Sequence, residues 1–281
     1  MNIGESRRAE RPSVETSTLP RSYALTLLPV FTLWQREMVR FFRQRDRVVG
    51  ALATPIVFWL LLGLGLGRSF KALNAPEGHG YLEYFYAGTL VMILLFTAIF
   101  STISVIEDRR EGFLQAVLVA PVGRLAIVLG KILGGTALAF VQGLVFLALA
   151  PLLGLHLSAG SLAWLAAVMV LVSFALTGLG FVIAWQMSST QGFHAIMNLF
   201  LIPLWLLSGA VFPSTGAPAW LGWMMKINPL TYGVTALREG LYWELPHPDA
   251  AVALAVTTLF AMAMFALSLA AAQRTTRGDL Q

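Results

Sequence analysis

The chain contains no cysteine. That removes disulfides, thiolate nucleophiles and cysteine-ligated metal centres, and it leaves the compartment open. Charge is scarce as well. Asp, Glu, Lys and Arg make up 12% of the 281 residues, about half the roughly 25% of a soluble globular domain. A sequence that is 57% hydrophobic, with a mean hydropathy of +0.74, has too little polar surface to face water on all sides; its solvent is a bilayer. Histidine occurs only as His79, His156, His194 and His247, in loops or at the ends of apolar runs, so neither haem ligation nor a metal site is expected. No Asp, Glu or Arg stands in the middle of an apolar run, and Lys131 falls at an end. Ion-coupled carriers keep ionisable groups at mid-membrane, so their absence weighs against that class. No phosphate-binding loop is present: Gly123 and Gly130-Lys131 are wrongly spaced, and Ile132 stands where Ser or Thr is required. The Ser-Gly pairs and scattered histidines do not assemble a nucleophilic triad, which weighs against an intramembrane enzyme. The formal charge of +5 does not indicate nucleic acid either, because the arginines border apolar runs rather than gathering with stacking aromatics.

What is present begins with a polar stretch, residues 1–22, read as a disordered tail because it has charge and no apolar core. Residues 23–48 form an amphipathic interfacial helix. At about 100° per residue, Phe31, Trp34, Met38, Phe41 and Phe42 fall on one side, and Arg36, Arg40, Arg43 and Arg47 on the other. Such a helix lies in the headgroup layer with its arginines toward acidic lipid or a partner. Arg45 falls on the apolar side, which predicts an end or a bend there. Six apolar runs follow, near 49–67, 85–106, 126–153, 162–185, 192–212 and 250–272, each close to the ~20 residues of a spanning helix. The third contains Pro151 and is expected to tilt or stop early. Between the fifth and sixth, residues 213–249 are too apolar for a loop and too broken for a span. Trp220, Trp223, Tyr232, Tyr242 and Trp243 mark this segment as interfacial. Asn228-Pro229 is a cap followed by a first-turn proline, so two short helices dipping back into the membrane are expected. Counting Lys and Arg over the loops gives fifteen on the side of the termini and four on the other, which places both termini in the cytosol.

The densest charged island lies between the second and third runs. Glu107-Asp108-Arg109-Arg110-Glu111-Gly112 leads into Phe113, Leu114, Val117 and Leu118, which repeat at helical spacing as one apolar ridge. Pro121 stops that helix and Gly123 turns the chain into the next run. On the residues alone, the ridge is either a docking surface or an ordinary charged loop with a few apolar side chains.

The island followed by Ala120-Pro121-Val122-Gly123-Arg124 and then Gly130-Lys131 resembles the cytosolic loop of ABC-2 type transport permeases, the membrane subunits of ATP-binding-cassette exporters. The resemblance runs from about Leu25 to Arg277 and includes Asn228-Pro229-Leu230-Thr231-Tyr232 and Leu237-Arg238. It implies that residues 107–124 form the coupling loop, which sits in a groove of a separate ATPase subunit. Glu107, Arg110, Glu111, Gly112, Phe113, Leu114, Val117, Leu118, Pro121 and Arg124 are its candidate coupling residues. It also implies a second permease copy, as homodimer or heterodimer, and ATP and magnesium bound by the partner ATPase rather than by this chain.

The expected fold is therefore all-α and polytopic: six transmembrane helices over 49–277, an N-terminal interfacial helix, and a re-entrant segment at 213–249. The expected function is export of a lipophilic or lipid-linked substrate (a drug, a lipid or a polysaccharide precursor) across the cell's inner (plasma) membrane. A stand-alone carrier or channel without an ATPase is the competing class, and a non-transporting membrane scaffold is a third. Candidate path residues are Gln142, Asn198, Trp220, Trp223, Tyr232 and Arg238. For Gln142 and Asn198 interhelical hydrogen bonding, worth about 1 kcal/mol, is the favoured alternative. Gly63, Gly65 and Gly67, and Gly130 with Gly134, permit close helix approach.

Because the chain has no cysteine of its own, single introduced cysteines report topology directly. Gln115→Cys and Thr276→Cys should label from the cytosolic side only, and Asn74→Cys and His247→Cys from outside only. Labelling of position 115 from outside would overturn the orientation.

Overall fold

Every regular element among the described residues is helical. In this computed structural model the described residues are 27–66, 80–120, 122–213, 217–242 and 249–274, with the side chains of 45–47 excluded. The expectations for residues 1–22, for Pro121, Trp243 and His247, and for most of the first loop lie outside them. In chain order the helices are α1 (Leu27–Arg43), α2 (Arg45–Leu66), α3 (Tyr81–Ser101), α4 (Ile103–Arg110), α5 (Phe113–Val119), α6 (Arg124–Leu147), α7 (Ala159–Gln186), α8 (Thr190–Leu206), α9 (Ala219–Ile227), α10 (Pro229–Leu241) and α11 (Asp249–Arg274).

Five stretches are long and apolar enough to cross a membrane: Val48–Leu66, Tyr81–Arg110, Arg124–Leu153, Ala159–Gln186 and Asp249–Arg274. The apolar run expected at 192–212 becomes α8, with 17 residues and so about 25 Å of rise, shorter than the others. The Pro151 region behaves as its sequence requires. Helix α6 ends at Leu147, a 3-10 turn spans Ala150–Leu153, and Gly154 closes it with φ 73°. The break between α1 and α2 falls at Gln44, next to Arg45.

Helix α3 is the axis of the bundle, buried on nearly every side from Phe85 to Ile99. Such a helix must satisfy its polar atoms internally, and it does. The Tyr86 hydroxyl donates to the Phe146 carbonyl at 2.8 Å, and the Trp205 indole donates to the Gly88 carbonyl at 2.8 Å. The Thr97 hydroxyl donates to Gln142 Oε1 at 2.5 Å. Gln142 is thus a tie between α3 and α6. Helices α6 and α7 flank α3, and α11 lies on α7, where Ser268 Oγ donates to the Gly178 carbonyl at 3.1 Å.

The segment before the last span folds as two short helices, and their depth can be read from contacts. A Cβ on Gly233 would meet Val172, at the middle of α7, at 3.1 Å; one on Gly240 would meet Leu165 and Trp164 at 2.7 Å. Helix α10 therefore starts halfway along α7 and climbs to its first turns, which is a re-entrant path. Its start is built by Asn228, whose side chain accepts from Leu230 N at 2.9 Å and donates to the Leu204 carbonyl at 2.7 Å. Thr231 donates to the Met225 carbonyl at 2.6 Å and Tyr232 to the Lys226 carbonyl at 3.0 Å. At the same end of the bundle, the Tyr81, Tyr84 and Tyr242 hydroxyls donate to the carbonyls of Val211, Gly209 and Glu83.

Helix α1 rests on the glycines of α6. A Cβ on Gly130 would come within 2.7 Å of Leu33, and one on Gly134 within 2.8 Å of Glu37. Gly134→Leu should lift α1 from its seat at about 1–3 kcal/mol of stability. Gly65→Leu, where nothing lies within 4 Å, should leave the melting temperature in detergent unchanged. Equal melting temperatures for the two variants would contradict this packing.

Candidate coupling site

Helix α4 continues the line of α3, so its last turn carries the charged island clear of the apolar core. The Tyr81–Arg110 stretch has 30 residues and rises about 45 Å, against a hydrocarbon thickness of ~30 Å. Gly112, at φ 76°, then reverses the chain in a conformation that costs any residue with a Cβ. Helix α5 follows, with one face against the bundle.

That face is the apolar ridge, which corrects the expectation that it is exposed. Leu114 is 3% exposed, and Phe113, Val117 and Leu118 pack against the core cluster. Phe113 is roofed by the Arg36 guanidinium, 3.7 Å from its ring centre. A seven-residue helix is too short to hold its shape alone, so its apolar side is spent on anchoring. What α5 presents outward is Gln115, Ala116 and Val119, the last 76% exposed, with Arg110 and Glu111 exposed beside it.

The anchor continues as a buried charge cluster. Asp108 is fully buried, and Glu37 and Lys131 are each 6% exposed. Arg36 grips Asp108 through two bonds, at 2.6 and 2.9 Å, and Arg40 adds a third at 2.9 Å. Lys131 Nζ bonds Asp108 Oδ2, reaches Glu37 Oε1 at 2.6 Å and Ser104 Oγ at 3.2 Å. Arg40 also bonds Glu107 at 2.7 Å and lies 3.6 Å from Glu111. Three elements meet here: α1 supplies Arg36, Glu37 and Arg40, α4 supplies Ser104, Glu107 and Asp108, and α6 supplies Lys131. Burial would lower the Arg36 pKa, but its hydrogen bond to Asp108 and the neighbouring carboxylates outweigh that and raise it, so its charge is permanent. Arg36 and Arg40 are thus committed to carboxylates of their own chain, which corrects the reading that they turn toward acidic lipid or a partner. Arg43 is exposed.

Two more arginines tie the same end together. Arg109 donates to the Trp185 and Met187 carbonyls at 2.6 and 3.2 Å, at the C-terminus of α7. Arg124 donates to the Ala272 carbonyl near the end of α11. Cations at helix C-termini meet the negative end of the helix dipole.

Of the expected path residues, Gln142 is buried as described, whereas Asn198 is exposed on α8 beside Leu199 and Phe200. Trp220 and Trp223 are 65% and 67% exposed. Tyr232 is part of the hairpin tip, and Arg238 donates to the Gly209 carbonyl at 2.8 Å while lying over the Tyr84 ring. Gln142, tied to Thr97 inside the bundle, and Asn198, exposed on α8, do not join the four residues of the outer segment in one site. No group of three or more metal-ligating side chains occurs among the described residues.

Glu37, Asp108, Lys131 and Arg36 were not among the candidate coupling residues. A signal existed: Leu33, Glu37 and Phe41 repeat every fourth residue, a buried stripe that puts a carboxylate inside, and a buried carboxylate needs a cation from elsewhere.

Removing one member of a buried ion cluster leaves uncompensated charge. Asp108→Ala should therefore cost about 3–5 kcal/mol, whereas Glu111→Ala, whose side chain is 60% exposed, should cost less than about 1 kcal/mol. Denaturation in detergent micelles measures both; similar losses would mean that the cluster is not the anchor.

Comparison with known proteins agrees with this architecture. The chain is 27% identical to nodulation protein J of Sinorhizobium fredii over 81% of this chain and 86% of that one. It is 26% identical to the daunorubicin resistance ABC transporter permease protein DrrB1 of Streptomyces coeruleorubidus over 80% of this chain and 78% of the relative. The ABC-2 type transporter profile matches residues 29–242, from α1 through the charged cluster to the end of the hairpin, and the chain belongs to that family.

Proposed function

We propose that this permease subunit exports an amphiphile from the cytosol, driven by a separate ATPase that docks on the outward face of α5. The family assignment makes the chain a membrane component of an ABC transporter rather than a catalyst. The observation that carries the docking reading is the two-sidedness of α5. Its inner face is fixed through Leu114, Phe113 and the Asp108 cluster, and its outer face offers Gln115, Ala116 and Val119. A push on α5 then reaches α1 through Arg36 and α6 through Lys131 without passing through a flexible joint. The charged end of the bundle faces the cytosol in this reading, by the lysine and arginine excess, and both termini lie in the cytosol of a cell whose inner membrane holds the protein.

The cargo class follows from the interior. Among the described residues the middle of the long spans holds neutral polar groups such as Thr97, Gln142 and Ser173 and no ion pair. A hydrated ion crossing there would lose its water with nothing to replace it. A lipophilic or lipid-linked molecule keeps its apolar part in lipid. A second permease copy would meet this one along surfaces the single chain leaves open: much of α2, and the side of α8 that carries Asn198, Leu199 and Phe200.

Ala116→Asp and Val119→Asp should abolish copurification of the ATPase and amphiphile-stimulated ATP hydrolysis while leaving the melting temperature of the permease unchanged. Leu114→Asp should instead lower that temperature, because it buries an unpaired charge. Full ATPase association of the Ala116→Asp, Val119→Asp double variant would refute docking at α5.

A further inference from the structure

Each cation in the cluster at the cytosolic end faces a carboxylate. At the opposite end, Arg238 does not. Among the described residues no carboxylate lies within ion-pair distance of it; its Nη2 donates to the Gly209 carbonyl, and the Tyr84 side chain is its second hydrogen-bonding neighbour. Its Nε is buried without a hydrogen-bond partner. The guanidinium lies over the Tyr84 ring, 4.1 Å from its centre, so its plane is set before any ligand arrives. Arg109 also has an unsatisfied Nε, but both of its terminal nitrogens are used on carbonyls. Among the described residues Arg238 combines an oriented guanidinium, a buried Nε without a hydrogen-bond partner and a charge with no carboxylate in ion-pair contact.

The surroundings say what kind of ligand this suits. The Gly209 that receives Arg238 also touches Met225 of α9, 3.4 Å from where its Cβ would stand. On its other side α9 exposes Trp220, Trp223 and Ile227, the last at 75%. Gly209 thus lies between the Arg238 guanidinium and the buried side of α9, whose opposite side is apolar and exposed. The climb of α10 from the middle of α7 places Arg238 and α9 within the half of the membrane opposite the charged cluster.

We propose that Arg238 receives the oxyanion headgroup of an amphiphile on the exit side, while the exposed face of α9 takes its apolar part. A planar guanidinium matches the oxygen pair of a phosphate or carboxylate, and it retains its charge at any physiological pH. The site rests on the amphiphile-export reading and refines it by assigning the head of the molecule to a residue. Its position past mid-membrane makes it a receiving site, reached after the cargo has crossed the uncharged interior.

The test uses the full permease with its ATPase in detergent, with dodecyl phosphate as probe and native mass spectrometry as readout. Arg238→Gln should weaken dodecyl phosphate binding about tenfold or more, the loss expected for a charged hydrogen bond. Arg238→Lys should recover part of it, and Arg43→Gln, at the other end, should change nothing. Binding to the wild type should tighten as pH rises through about 6, where a phosphate monoester gains its second charge, and the Gln variant should lose that dependence. A role confined to clamping Gly209 would alter the melting temperature but not the pH profile. Dodecanol should bind wild type and variant equally, and inorganic phosphate at the same concentration should leave dodecyl phosphate in place. Unchanged dodecyl phosphate binding in Arg238→Gln overturns the site, and displacement by inorganic phosphate overturns the headgroup assignment. If Arg238→Gln binds normally while amphiphiles still stimulate ATP hydrolysis, this site fails and the export reading stands; if no amphiphile stimulates hydrolysis in the wild type, the export reading itself fails.

Discussion

One carboxylate determines how the charged end of this protein is put together. Asp108 has no exposed surface and takes bonds from Arg36, Arg40 and Lys131. A group in that position must be compensated completely, since a bare carboxylate at the edge of a hydrocarbon layer would be strongly unfavourable. The requirement fixes more than the pair. Lys131 can reach Asp108 only if α6 enters beside α4, and Arg36 and Arg40 only if α1 lies across α6. That crossing in turn needs the glycines at 130 and 134 beneath it. Helix α1 is therefore part of the protein's packed interior on one side, while Phe31, Val39 and Phe42 remain exposed on the other.

The same cluster gives the loop its two-sided character. A short amphipathic helix between two spans invites the reading that its greasy residues are its contact surface. Here they are the means of attachment, because Phe113 and Leu114 have an apolar seat available within the chain. The surface left for a partner is smaller, less apolar and rigidly based.

Much of this was legible in the sequence, for identifiable reasons. Composition and run length dictate an all-helical membrane protein, because a backbone in lipid must satisfy itself. Asn228-Pro229 is a cap signal that depends on local chemistry alone, and α10 begins there. Pro151 and the arginine at 45 likewise mark breaks that the chain makes within a residue or a few. What could not be read was anything set by pairing between distant helices. The arginine face of α1 has the same periodicity whether it meets phospholipid or Asp108. The direction of the Phe113 ridge depends on whether α1 and α6 supply a seat, and Asn198 and Gln142 look alike in sequence although one is exposed and the other is tied to Thr97. Helical periodicity identifies a face; which neighbour covers it is a tertiary fact.

The hairpin tip carries a last consequence. The carbonyls of Leu204, Met225 and Lys226 receive a side-chain amide or hydroxyl from Asn228, Thr231 and Tyr232, in the place that water fills in a soluble loop. A turn tied in this way needs no water to satisfy those three carbonyls. In a protein whose solvent is lipid, carbonyls satisfied by side chains of the same turn leave less backbone polarity to be hidden from the acyl chains.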